Sequence, residues 1–289
     1  MRKIKVAAAQ TSCSWDLDEN ISKAEKLVRD AAKSGANIIL LPELFETPYF
    51  CQVEKYEYLK LAKTVEENRA VNHFKAVAKE LGVVLPISFF EKQNNAAFNS
   101  TAIIDADGKI LGIYRKTHIP CGHCYEEKFY FTPGDTGFKV WNTKYAKIGV
   151  GICWDQWFCE SARSMALMGA EILFYPAAIG SEPVLNTDSR AHWQRVMQGH
   201  SAGNIMPLIS SNRVGIEKEQ NSFGQISNMT FYGNSFITQE TGGIVKQLDG
   251  KEENFIAAEF ELDAIADFRS SWGIFRDRRP ETYKTILEH

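Results

Sequence analysis

Cys153 stands where one hydrophobic period gives way to another. In KIGVGICWDQWFCESARSMALMGAEILFYP the run Ile148 to Ile152 reads as a short buried strand. From Gln156 the spacing turns helical, with Phe158, Ala162, Met165 and Met168 on or near one face. A cysteine at such a strand-to-helix turn holds its sulfur proud of the sheet edge, close to open backbone N–H groups and the helix dipole. That setting predicts a lowered thiol pKa and a nucleophile. Two other chemically able residues occupy similar places: Glu43 just past an apolar run in LLPELFETPY, and Lys116 just past another in GIYRKTHIP. Each alone has an ordinary structural use, as a core thiol, a helix cap or a solvated charge. Following three strands, they are expected to project together from one edge of a single sheet, where sites in open α/β proteins form.

The rest of the chain supplies the elements that must hold them. Ile4 to Gln10, Asn37 to Leu41, Val83 to Glu91, Glu171 to Tyr175, Leu208 to Asn212 and Phe255 to Phe260 read as strands. Asn20 to Lys33, Val65 to Leu81 and Ser189 to Ala202 carry helical spacing, and a short helix is predicted over Leu262 to Phe268. Phe98 to Asp105 and Lys109 to Tyr114 flank Ala106-Asp107-Gly108, a hairpin signal. A second antiparallel pair is predicted between Phe231 to Ile237 and Gly243 to Gln247, and another short strand near Phe138 to Trp141. Arg115 to Asp135 is a long irregular loop, and loops of that length are usually functional. Strands mixed with helices, some antiparallel, predict an α/β fold with both sheet faces covered, as one domain over 1–289.

The 289 residues carry 44% hydrophobic and 24% charged side chains, ordinary for a globular protein, and a net charge of -3. That balance has no basic footprint for nucleic acid or an acidic membrane. No run approaches a membrane span, and MRKIKVAAAQTS lacks the long apolar core of a signal peptide. Six cysteines without framework spacing predict reduced thiols and a cytoplasmic location.

Taken jointly, KVAAAQ, LLPELF, YRKTHIP and GVGICWDQWFCESARSMALMGAEI, with the C-terminal strands, resemble the carbon–nitrogen hydrolase (nitrilase) superfamily nearly end to end. Its catalytic Glu, Lys and Cys occur in this order and in these contexts. The resemblance implies a four-layer αββα sandwich, often paired into dimers and higher oligomers, with no metal and no cofactor. Within the superfamily, IPCGHCYEEKFYFTPGDTGFKV and YPAAIGSEP are similar to the branch that acts on N-carbamoylputrescine, a small-molecule substrate.

The resemblance assigns roles. Cys153 is the nucleophile, and a thiolate suits a poor electrophile such as a ureido carbon. Glu43 is the general base and acid of a thioester route. Lys116 and the backbone N–H of Trp154 stabilise the oxyanion. A second glutamate matches Glu127 best, with Glu126 beside it, and orients Lys116 and the substrate nitrogen. A terminal ammonium on the substrate calls for a carboxylate. Glu182 is the candidate, with Tyr49 and Trp154 as walls around the methylene chain.

His118, Cys121, His123 and Cys124 crowd one loop and could hold zinc, yet no second cysteine pair stands at finger spacing. Relatives more often carry Asp, Gly and Pro over 121–124, so this loop's geometry stays open. Cys159, where relatives tend to have proline, is expected to be inert packing. An ω-amidase, a β-ureidopropionase or a nitrilase are rival activities. A ureidopropionase would want a basic residue for its carboxylate tail, and the GSEP loop presents an acid. A non-catalytic scaffold is the rival of another class, and loss of Glu43, Lys116 or Cys153 would have favoured it.

Overall fold

The computed structural model describes residues 1–181 and 187–288. Small side chains near the start allow a strand to be covered on both faces. In β1 (Lys3–Gln10), Ile4, Val6 and Ala8 enter one apolar core while Ala7 and Ala9 enter another, the period-two division of a central strand. Helix α1 (Leu17–Lys33) follows, its first turn capped by the Asp16 carboxylate, which accepts from the Glu19 N–H at 3.0 Å. β2 (Ile38–Leu40) then pairs parallel to β1. Helix α2 (Arg69–Leu81) begins four residues later than the spacing predicts, because the Asn68 side chain caps the Val71 N–H. It ends at Gly82, whose φ of 67° is the left-handed stop.

Strands β3 (Leu85–Gln93), β4 (Ala96–Ile104) and β5 (Ile110–Arg115) form an antiparallel meander. The long loop after it contains one helical turn, α3 (Glu127–Tyr130). Next come β6 (Val140–Asn142), β7 (Lys147–Val150), α4 (Cys159–Leu167), β8 (Ile172–Pro176), α5 (Arg190–Asn204) and β9 (Leu208–Ser211). The chain closes with β10 (Val214–Gln220), β11 (Ile226–Tyr232), β12 (Phe236–Thr238), β13 (Ile244–Gln247), β14 (Asn254–Glu261) and α6 (Leu262–Trp272).

Two sheets result. One runs β14-β1-β2, continued through an isolated parallel bridge between Ile38 and Val84 to β3-β4-β5. The other runs β13-β12-β9-β8-β7-β6, with β7, β8 and β9 parallel. Ile4, Val6 and Ile38 of the first share a core with Val150, Phe174 and Ile209 of the second. On the first sheet's outer face, Ile21, Leu27 and Val28 of α1 and Phe74 and Val77 of α2 pack against Ala7, Ile39 and Ile87. On the second, α4 lies close over β7: a Cβ on Gly149 would stand 2.8 Å from the Met165 sulfur. These layers make the four-layer αββα sandwich. No helix among the described residues is long and apolar enough to cross a membrane.

One expectation is corrected. The run Phe231 to Ile237 is not one strand: it is split between the end of β11 and the start of β12, and only β12 pairs with β13. The hairpin β10–β11 was not anticipated, because its inward face carries Glu217 and Glu219 where the pattern of a half-buried strand wants apolar residues.

Candidate active site

Glu43 and Lys116 follow strands of the first sheet, β2 and β5, but Cys153 follows β7 of the second. The expectation of one shared sheet edge is therefore corrected: the three side chains converge from strand ends of both facing sheets. Short apolar runs announce strands without saying which sheet each joins, since pairing is decided by distant partners.

Cys153 opens a 3₁₀ turn, Cys153–Trp157, with φ at 41°. A non-glycine residue in that region holds strain that the surroundings must sustain. Asp155 does much of this. Its Oδ2 accepts from the Ile152 N–H at 2.9 Å and the Tyr114 hydroxyl at 2.7 Å. Its Oδ1 accepts from the His118 N–H at 3.0 Å and lies 2.7 Å from His118 Nδ1. One buried carboxylate thus clamps the turn from both sides. Beneath it, a Cβ on Gly151 would meet the Tyr175 ring at 2.6 Å, so only glycine admits this approach.

Lys116 is buried, and its Nζ donates to Glu43 Oε1 at 2.9 Å and to Glu127 Oε1 and Oε2 at 2.9 and 2.6 Å. Burial by itself would lower the ammonium's pKa, but the Glu127 and Glu43 carboxylates, with Cys153, outweigh it and hold the group well above its ordinary value. Glu127 is raised to about 7: burial dominates and Glu43 adds to it, against Lys116 and the Tyr49 hydroxyl. Glu43 Oε1 also accepts from Asn99 Nδ2 at 2.6 Å, while its Oε2 has no hydrogen-bond partner among the described residues. Glu126, the neighbour of Glu127, is half-buried outside this cluster, its N–H donating to the Cys51 carbonyl.

The lowered thiol pKa expected at Cys153 is not found. Burial first, then the Glu43 and Glu127 carboxylates, push it well above the usual thiol value, and Lys116 with an Ala178 backbone hydrogen bond only partly offsets them. The turn has a single short 3₁₀ segment before α4, so its dipole is too small to reverse desolvation. A neutral resting thiol needs a base in contact during attack, and the surroundings supply carboxylate.

Cys153, 5% exposed, opens on a cavity of about 300 Å³. Its wall is largely apolar, from Pro120, Tyr125, Trp154, Trp157 and Ile179, with Ser189 and His192 among its polar members. Trp154 is a wall, 40% exposed and edge-on to Trp157 at 6.0 Å. Tyr49 does not line this cavity. Its ring is wholly buried because its hydroxyl donates to Glu127 Oε1 at 2.6 Å, and Tyr125, which does line the cavity, meets that ring edge-on at 5.9 Å. Glu182 lies outside the described residues. In the cysteine-rich loop, His118 stacks on Phe158 at 3.6 Å while bound to Asp155, Cys124 is buried and Cys121 exposed. Among the described residues no group of His, Cys, Asp and Glu is gathered as a metal cage.

Sequence reasoning missed Asn99, Asp155 and Arg213. Asp155 was legible in principle, two residues past the turn cysteine, as an acid in the first turn. Asn99 and Arg213 sit in strand contexts where nothing local marks them.

The family model for carbon-nitrogen hydrolases matches residues 5–270. The chain is 58% identical to an N-carbamoylputrescine amidase of Oryza sativa, over 99% of this chain and 95% of that protein. It is 52% identical to a citrullinase of Francisella tularensis, over 99% of both. The crystal structure of a carbon-nitrogen hydrolase from Helicobacter pylori superposes with a TM-score of 0.92 at 36% identity, covering 100% of this chain and 99% of that one. With a thiol, two carboxylates and an ammonium drawn together inside an αββα sandwich of that same shape, this chain belongs to the carbon-nitrogen hydrolase family and is an amidohydrolase.

Proposed function

We propose that this enzyme hydrolyses N-carbamoylputrescine to putrescine, ammonia and carbon dioxide, with Cys153 as nucleophile. Glu43 takes the thiol proton as the sulfur bonds to the ureido carbon. Negative charge grows on the carbonyl oxygen, where Lys116 and the Trp154 N–H stabilise it, each donor contributing about 3 kcal/mol. Glu43 returns the proton to the departing nitrogen and ammonia leaves, so the substrate carbamoyl group is held as a thioester-like thiocarbamate. Water, activated by Glu43, then breaks the carbon–sulfur bond. The carbamic acid released loses carbon dioxide and leaves the amine.

The observation that carries this reading is the Lys116 ammonium bonded at once to Glu43 and Glu127, beside a thiol that opens on an apolar cavity. Such a cavity accepts a methylene chain, and Glu182 is the proposed partner of its terminal ammonium. Citrulline is the second reading, favoured by the citrullinase relative. It bears a carboxylate on its tail, and the described residues lining the cavity include no lysine or arginine to receive one. The reading extends to a cytoplasmic enzyme of polyamine biosynthesis that works as a homo-oligomer. Exposed Trp272, Ile286 and Leu287 near the C-terminus offer apolar surface for such an assembly.

The test is ammonia release from N-carbamoylputrescine, citrulline, ureidopropionate, glutaramate and a simple nitrile, compared by kcat/KM. N-carbamoylputrescine is expected to lead. Ureidopropionate turning over best would overturn the assignment.

A further inference from the structure

We propose that Arg213 and Glu217 are positioning residues, a buried ion pair that aims the Glu43 carboxylate and ties it mechanically to Glu127. Arg213 stands just past β9 and is fully buried. Its guanidinium spends its N–H donors on one short stretch of backbone and one carboxylate. Nε and Nη2 donate to the Glu43 carbonyl at 3.2 and 3.0 Å, and Nη2 also donates to the Leu44 carbonyl at 2.5 Å. Nη1 donates to the Thr47 carbonyl and to Glu217 Oε1, both at 2.9 Å.

That stretch needs holding. Leu44, directly after the base, has φ at 49°, a left-handed conformation that a leucine does not adopt unaided. In this turn the Glu43 and Leu44 carbonyls both point to the guanidinium, and the Glu43 side chain leaves toward Lys116. A planar fork that binds several acceptors at once fixes direction in a way a point charge does not.

Glu217 carries the linkage onward. Its second oxygen, Oε2, accepts from the Tyr49 N–H at 2.5 Å, and the Tyr49 hydroxyl donates to Glu127 Oε1 at 2.6 Å. The backbone of Glu43 and the carboxylate of Glu127 are thereby joined through Arg213, Glu217 and Tyr49, while both carboxylates grip Lys116 from the other side. A buried ion pair is a poor device for stability alone, since apolar residues of the same volume often serve as well. One whose bonds end on the loop of the base is suited to setting geometry.

The inference rests on reading Glu43 as the base, and the test separates the two. Parent, Glu217→Gln, Arg213→Met and the double variant Arg213→Met/Glu217→Met are compared by thermal melting, by kcat and KM for ammonia release from N-carbamoylputrescine, and by the rate at which iodoacetamide alkylates Cys153, read by peptide mass. Alkylation needs no substrate, so it reports on the base and the thiol even if the ureido assignment fails. Glu217→Gln keeps the shape but cannot accept from both Arg213 and Tyr49. It should lower kcat about 10- to 100-fold with KM little changed, the penalty of misplacing a reacting group by about an ångström, and move the alkylation rate of Cys153 away from the parental one. The double variant removes the uncompensated charge left in Arg213→Met and should regain melting temperature without regaining kcat. A Glu217→Gln enzyme with parental kcat and alkylation rate, or a double variant that recovers activity along with stability, would overturn the proposal. Should the double variant not fold, Glu217→Gln decides alone.

Discussion

Replacing Glu127 by Gln preserves the outline of the side chain and removes one of the two negative charges around Lys116. In the parent, Glu127 accepts from Lys116 Nζ at 2.6 and 2.9 Å, and Glu43 accepts from it at 2.9 Å. A hydrogen bond to a charged group contributes about 1.5–3 kcal/mol. At about 1.4 kcal/mol per tenfold in rate, losing the carboxylate should lower kcat about 10- to 150-fold. The sign at the thiol is opposite to what simple damage would give. Glu127 is one of the two carboxylates that raise Cys153, so neutralising it should let the thiol ionise at lower pH. The parent carries a second signature. With Glu127 raised to about 7, its ionised form is lost as pH falls through about 7, and kcat should fall with it; that limb should be absent in the Gln variant. The assays are ammonia release across pH and alkylation of Cys153 by iodoacetamide across pH, read by peptide mass. A variant with kcat within about twofold of parent, or one whose Cys153 ionises at higher pH, would refute the reasoning about both charge and geometry.

Further outcomes follow from the same geometry. Cys153→Ala should abolish turnover with the fold retained, and Cys153→Gly should melt higher than Cys153→Ala by about 1 kcal/mol of stability, because glycine relieves the strained φ; equal or lower melting would mean the turn is not strained. Asp155→Ala should cost about 3 kcal/mol and lower the melting temperature, since several hydrogen bonds to one buried carboxylate are lost. Glu182→Gln should raise KM for N-carbamoylputrescine and leave KM for butylurea, which has no terminal ammonium, unchanged; equal effects on both would remove Glu182 from ammonium binding.

The elements of the sandwich were largely legible because their periods are strong. Ile38 to Leu40 is apolar at every position, and the α1 residues Ile21, Ala24, Leu27, Val28 and Ala31 recur at helical spacing and are all buried. Glu43, Lys116 and Cys153 could be picked out because each follows such a run within a recognisable motif. Hairpin β10–β11 escaped notice for the reason that makes it useful: Glu217 and Glu219 point inward, as functional frames break the apolar pattern.

From the amino-acid order alone came the strand ends that carry the thiol, the acid and the ammonium, since those depend on local hydrophobic period and on motif. Tertiary structure alone decided that the two sheets face each other with Cys153 on one and Glu43 and Lys116 on the other, that the thiol is raised rather than lowered, and that Tyr49 serves Glu127 from behind. Those outcomes depend on burial and on charges brought close by residues far apart in the chain, such as Glu43 and Lys116 at 2.9 Å. No local pattern encodes a desolvation that only the packed sandwich imposes.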